Sequence, residues 1–268
     1  MASINKYQLQ AAGDAPVIFN DLEFHPLLVR EYTIYARAKR AMELMQSSLH
    51  PKYARFTWCE CLWELDRECE KQTGQYGDFL VSVMLAVARA LRLEAPDGDV
   101  TLPLRPVFSQ DGHLTALMIG EAYGNYTLLN MQQMNEVRLI LAAQNGYDIP
   151  DENWNPELVR AAQQNAEGNN AGLDIDFDDL LYSVALNAHC RAKDILDWSI
   201  RELHGMQDAI DRTLGYQIYT LAEISGFVEF KKGNPYPTWK FNRKSDMPTG
   251  FKSIAELDAG AKGLVAGT

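Results

Sequence analysis

GDFLVSVMLAVARALRL, from Gly77 to Leu93, is apolar on nearly every helical face. The run is too long for a single strand and shorter than the roughly 18–20 residues that cross a bilayer. A helix apolar all round is a buried one, so this stretch predicts the central element of a helical core. Two helices should flank it upstream. Leu28, Tyr32, Tyr35, Met42 and Met45 recur at helical spacing over about 28–46. Ser47–His50 interrupts that pattern, and Pro51 suits the first turn of a second helix ending near Thr73–Gly74. Short connections between the three predict an antiparallel bundle.

Downstream, APDGD at 95–99 is a turn signal and the period changes. TLPLRPVF and HLTALMIG read as strands around SQDG, with YTLL as a third. Pro103 and Pro106 confine the first of these to a sheet edge. Asn130 is placed to cap a helix over MQQMNEVRLILAAQN, which Gly146 should end in a left-handed C-cap. Pro156 opens another helical pattern, and EGNNAG at 167–172 reads as a linker. One long amphipathic helix is expected from DFDDLL to RELHG, and a further helix over about Met206–Ser225 with Gly215 as a kink point. Residues 1–15 and the tail from Ser245 are expected to be loosely attached. The fold class expected is mainly α, a multi-helix bundle with a small β insertion near 100–130 and a C-terminal hairpin near 227–242. The segments expected are 1–95, 96–130, 131–226 and 227–268.

The chain has 268 residues, 47% apolar and 23% charged, with a formal net charge of −11, which is ordinary for a globular protein. The N-terminus has no apolar h-region, so a cytoplasmic location is expected. Four cysteines suit a reducing compartment. WCECLWELDREC invites a zinc reading, but Cys59 and Cys61 would diverge by about 200° on a helix. Trp58, Leu62, Leu65 and Cys69 form one stripe instead, so the thiols read as small buried hydrophobes. LDIDFDD at 173–179 starts like a calcium loop, yet Asp179 stands where glycine is needed and Ala185 where glutamate is. These carboxylates suit a helix N-terminus better. No metal or other cofactor is expected. The five histidines are scattered, and no H-E-x-x-H, G-x-S-x-G or phosphate-binding glycine loop occurs. No catalytic residue is expected, and the chain reads as a non-enzyme.

GFVEFKKGNPYPTWKFNRK, 226–244, carries five basic residues against Glu229 alone, so the rest of the chain holds −15. FVEF and TWKF around a turn predict a hairpin. Phe230, Lys231, Lys232, Tyr236, Trp239, Lys240 and Arg243 are its candidate partner-binding residues. Three readings stay open: a hairpin closing the fold, a docking element for an acidic neighbour, or a nucleic-acid surface whose rings stack on bases. The acidic remainder opposes the last of these.

Three segments carry a resemblance: VIFNDLEFHPLLVREY, RLILAAQNGYDIPDENWNPELV and GYQIYTLAEISGFVEFKKGNPYPTWKF. Together they resemble uncharacterised proteins of the tail-morphogenesis region of tailed bacteriophages, including tail assembly chaperones. That resemblance implies a non-enzymatic role, either keeping a tail protein soluble or forming part of the particle. It implies contacts with a tail protein such as the tape-measure or tube protein; the docking reading of 226–244 adds further copies of the chain as expected partners, and the lack of a spanning apolar run means that no membrane contact is expected. The place of action would be the host cytoplasm during assembly, or the virion.

Overall fold

The computed structural model describes residues 6–93, 104–120, 126–152, 157 and 176–226. The expected hairpin at 227–242, the linker at 167–172, the turn at 95–99, the helix after Pro156 and the tail lie outside them. The chain divides into two compact units, Met1–Ala161 with Gly172–Gln207, and Ala162–Ala171 with Asp208–Thr268.

In the first unit the chain is mainly helical, as its sequence predicts. β1 (Val17–Phe19) and β2 (Leu22–Phe24) form a two-residue hairpin. Asn20 and Asp21 both take positive φ, +51° and +59°, as a type I′ turn requires. α1 (Tyr32–Met42) follows a 3₁₀ turn at Val29–Glu31, and a second 3₁₀ turn at Pro51–Arg55 precedes α2 (Trp58–Thr73). Pro51 therefore opens a separate short turn, and the helix itself starts where the Glu60 carboxylate accepts from the Thr57 amide at 2.7 Å. Gly74 ends α2 at φ +76°.

α3 (Phe79–Ala90) is the central helix, with eight of its twelve residues buried, and it packs against α1, α2 and α4 (Met131–Asn145). α4 is capped as expected: Asn130 Oδ1 accepts from the Gln133 amide at 2.9 Å, and Gly146 closes the helix at φ +76°. β3 (Leu104–Phe108), β4 (Leu114–Gly120) and β5 (Tyr126–Asn130) form an antiparallel meander in that order. β3 is an edge strand, as its proline predicts. Leu104, Leu114, Leu117 and Leu129 join the helical core, so the sheet shares its burial with α3 and α4.

Two further expectations fail. The long helix expected over 176–205 is three pieces: α5 (Phe177–Ala188), α6 (Ala192–Ile195) and the start of α7 (Ile200–Ile224). His189 takes the left-handed conformation at φ +53°, and the Cys190 amide returns to the Ala185 carbonyl at 3.1 Å. Ser199 then opens α7, its hydroxyl accepting from the Glu202 amide at 2.9 Å. α7 thus starts six residues before the expected Met206. The N-terminal arm is also attached from Lys6 on. Ala11 is buried, the Tyr7 hydroxyl donates to Glu136 at 2.9 Å, and Arg201 donates to the Ala11 carbonyl at 3.0 Å. No helix among the described residues is long and apolar enough to cross a membrane.

Candidate contact surface

The residues singled out by composition (Phe230, Lys231, Lys232, Tyr236, Trp239, Lys240 and Arg243) all lie outside the described residues. The chain leading to them is described as far as Gly226, which takes φ +71° directly after α7. Among the described residues, no group of three or more His, Cys, Asp or Glu could hold a metal ion. Cys59 and Cys61 are buried, and burial pushes their thiols up to about 12 and about 11. Such thiols are protonated near neutrality and make poor nucleophiles or ligands. Asp176 sits at the N-cap position of α5 with no side-chain capping bond, and Asp178 and Asp179 occupy its first turn.

Three buried polar side chains of the first unit, Asp66, Arg138 and Asn145, are tied to backbone. The Asp66 carboxylate, inside α2, accepts from the Phe79 amide at 3.0 Å and the Leu80 amide at 2.8 Å. Burial raises its pKa, and those two bonds oppose the rise. Asp66 thereby caps α3 from a neighbouring helix. The Arg138 guanidinium donates to the Met42 carbonyl at 2.6 and 2.9 Å and to the Leu44 carbonyl at 2.9 Å, closing the end of α1. It also lies over the Trp58 ring, 4.8 Å from the centroid, and burial pulls its pKa down to about 10. The Leu27 amide donates to Asn145 Oδ1 at 2.7 Å. These are structural anchors, because each satisfies main-chain atoms at an element end.

A surface made of rings is built on the same anchors. Gly74 reverses the chain after α2, and the Gly77 amide donates to the Asp66 carbonyl at 3.3 Å. A Cβ on Gly77 would overlap the Asp66 carboxylate, so only glycine lets this loop lie on the helix. The loop sets Tyr76 beside Trp63, with centroids 6.1 Å apart and planes within 18°. A register shift between Val107 and Phe108 marks the end of β3, where Phe108 lies against Trp63 at 4.8 Å. Tyr76 is 58% exposed and Phe108 41%. Carboxylates fringe the rings. Glu64 meets Arg67 at 3.1 Å and His113 at 3.8 Å, and a hydrogen bond to Glu70 raises the Tyr76 pKa. Rings with one exposed face and a charged rim are the side chains most enriched where proteins meet.

Composition did not find this surface, because its three rings come from positions 63, 76 and 108. One signal was present: Trp63 lies off the stripe of Trp58, Leu62, Leu65 and Cys69, and so had no assigned place in the core. That stripe itself is only partly right. Leu65 and Cys69 are half-buried, whereas Asp66 is inside.

No family model matches the chain, and neither a curated protein nor a solved structure matches it.

Proposed function

We propose that this chain acts through protein–protein contacts in bacteriophage tail assembly, as a tail assembly chaperone or as a tail component, without enzymatic activity. The Trp63–Tyr76–Phe108 surface, with Tyr76 and Phe108 exposed and Trp63 half-buried beneath them, is the observation that supports a contact role. The three resembling segments support the phage assignment. The partner is a tail protein such as the tape-measure or tube protein, met in the host cytoplasm during assembly or retained in the virion. Residues 230–243 are the second contact segment of this reading.

The test is capture of tail proteins from infected-cell lysate by the tagged chain, with mass spectrometry of purified particles alongside. Association in either sample is expected. The double variant Tyr76→Ala/Phe108→Ala should lose at least tenfold of the capture while its unfolding temperature stays near that of the parent chain. Absence of every tail protein from both samples would overturn the proposal. Capture indifferent to both ring substitutions would remove the surface from it.

A further inference from the structure

α1 and α3 lie side by side in opposite directions. The Arg40 guanidinium sits over the Phe79 ring, 4.9 Å from its centroid, and Arg37 lies 3.6 Å from Asp78, so the end of α1 meets the start of α3. At the other end Arg92, just past α3, meets Glu31 at 3.4 Å and donates to the Pro26 carbonyl at 2.9 Å. α3 is buried on most sides and reaches solvent along one narrow stripe. At 100° per residue, Val81, Leu85 and Arg89 fall within about 80° of one another. Val81 is 45% exposed, Leu85 half-buried and Arg89 exposed. The stripe is a short apolar floor with arginines at both ends, Arg37 and Arg40 at one and Arg89 and Arg92 at the other.

Charge sets this face apart from the rest of the chain. Residues 29–43 and 77–93 hold six basic residues against three acidic ones, +3 in a chain of −11, which leaves −14 elsewhere. The three carboxylates are already engaged, Glu31 by Arg92, Asp78 by Arg37 and Glu43 by Lys39 at 3.9 Å. Arg30 meets Asp197. Arg40 stacks on a ring, which leaves its edge donors outward, and the Arg89 side chain has no ion-pair partner among the described residues.

We propose that this face docks an acidic, extended segment of a partner protein. Phe79, under Arg40, and Arg89 are ten residues apart, about 15 Å at 1.5 Å per residue. An extended segment covers that span in four to five residues of about 3.3 Å, and its alternate side chains share one face. The fitting pattern is therefore a carboxylate, an apolar residue two positions on and a second carboxylate two further. The carboxylates meet Arg40 and Arg89, and the apolar residue meets Val81. A protein segment is favoured over nucleic acid, because −14 elsewhere repels a polyanion and Phe79 is covered by Arg40 rather than open to a base. Exposed ion pairs are individually weak, so the dissociation constant is on the order of 100 µM and rises with salt.

The probe is a labelled peptide carrying Glu-Ser-Leu-Ser-Glu, titrated with the full chain and read by fluorescence anisotropy. Saturable binding is expected, weakened at least fivefold between about 50 and about 300 mM salt. Arg40→Gln/Arg89→Gln should lose at least fivefold in affinity. Arg89→Gln alone breaks no internal contact, so it should lose at least twofold with an unchanged unfolding temperature. No binding, equal binding of the peptide with glutamine for glutamate, or indifference to both variants would overturn the proposal. So would tighter binding of a single-stranded DNA oligonucleotide, which would make the face a nucleic-acid surface. Binding gained only after Glu94→Gln/Asp97→Asn/Asp99→Asn would give the face to the chain's own acidic stretch and overturn a separate partner. Capture of tail proteins through the Trp63 surface is a separate readout, so either proposal can fail while the other stands.

Discussion

α3 and the second half of α7 are helices of similar length with opposite treatment of their apolar residues. Eight of twelve positions are buried in α3, whereas none from Asp208 to Ile224 is. Both carry leucine, isoleucine or valine at helical spacing, so the difference lies in what meets them. α3 is surrounded by α1, α2 and α4, and its start is capped by the buried carboxylate of Asp66. In α7, burial stops after Ile200 and Leu203, and the apolar positions beyond form an exposed stripe. An apolar helix face is thus core in one place and exposed in the other, and only tertiary context separates the two.

The sharpest way to break this contrast is to remove an anchor of the first unit. Arg138→Ala takes three donors from the Met42 and Leu44 carbonyls and uncovers Trp58. The expected cost is about 3 kcal/mol in urea unfolding, because buried acceptors lose their partners along with the stacked side chain. Arg138→Lys should recover less than half of it, since an ammonium cannot bridge both carbonyls from one plane. A cost below about 0.5 kcal/mol would mean that the end of α1 is held by something else.

Gly77→Ala comes next, at about 2 kcal/mol, because the added methyl displaces the Asp66 carboxylate that caps α3. An accompanying Asp66→Ala should make the glycine substitution cheaper, which a double-mutant cycle measures as coupling. Additive costs would show that the loop and the cap are independent.

Much of this first unit was legible locally. Asn130 and Gly146 bound α4 because a cap needs an amide acceptor at one end and freedom for positive φ at the other. Pro106 suits β3 to the sheet edge it occupies, for want of an amide donor. Other features depended on distant partners. His189 takes a left-handed turn that glycine would have signalled, and histidine does not, so three helices read as one. Asp66 carries no local signal of burial, because its partners are two amides at the start of α3. Ala11 and Tyr7 had no local reason to dock, since their partners lie on α4 and α7. The Trp63 rings and the Arg138 anchor likewise join segments far apart in sequence. Local chemistry marks where elements begin and end, and tertiary contacts decide which faces are used.

High pH probes the interior from a different side. Burial raises the Cys59 thiol from 9.0 to about 12. The folded state therefore keeps a proton that the unfolded chain releases. Its contribution is full below about pH 9 and is lost as pH rises toward 12, with a slope of up to about 1.4 kcal/mol per pH unit for one proton. In Cys59→Ala, the fall of unfolding free energy between pH 9 and 11 should be shallower by up to that amount. Cys61 and Tyr35 keep part of the slope, since burial raises them too, to about 11 and about 12. An unchanged slope would mean that Cys59 ionises as readily folded as unfolded.

The smallest effect is expected on the other side of the comparison. Leu214→Ser and Leu221→Ser remove the kind of side chain whose loss from α3 would cost 2–5 kcal/mol. At 44 and 67% exposure they bury little against their own chain. Each should therefore change the urea midpoint by less than the equivalent of about 0.5 kcal/mol. A large loss would mean that the stripe is covered within its own chain and that this half of α7 belongs with α3.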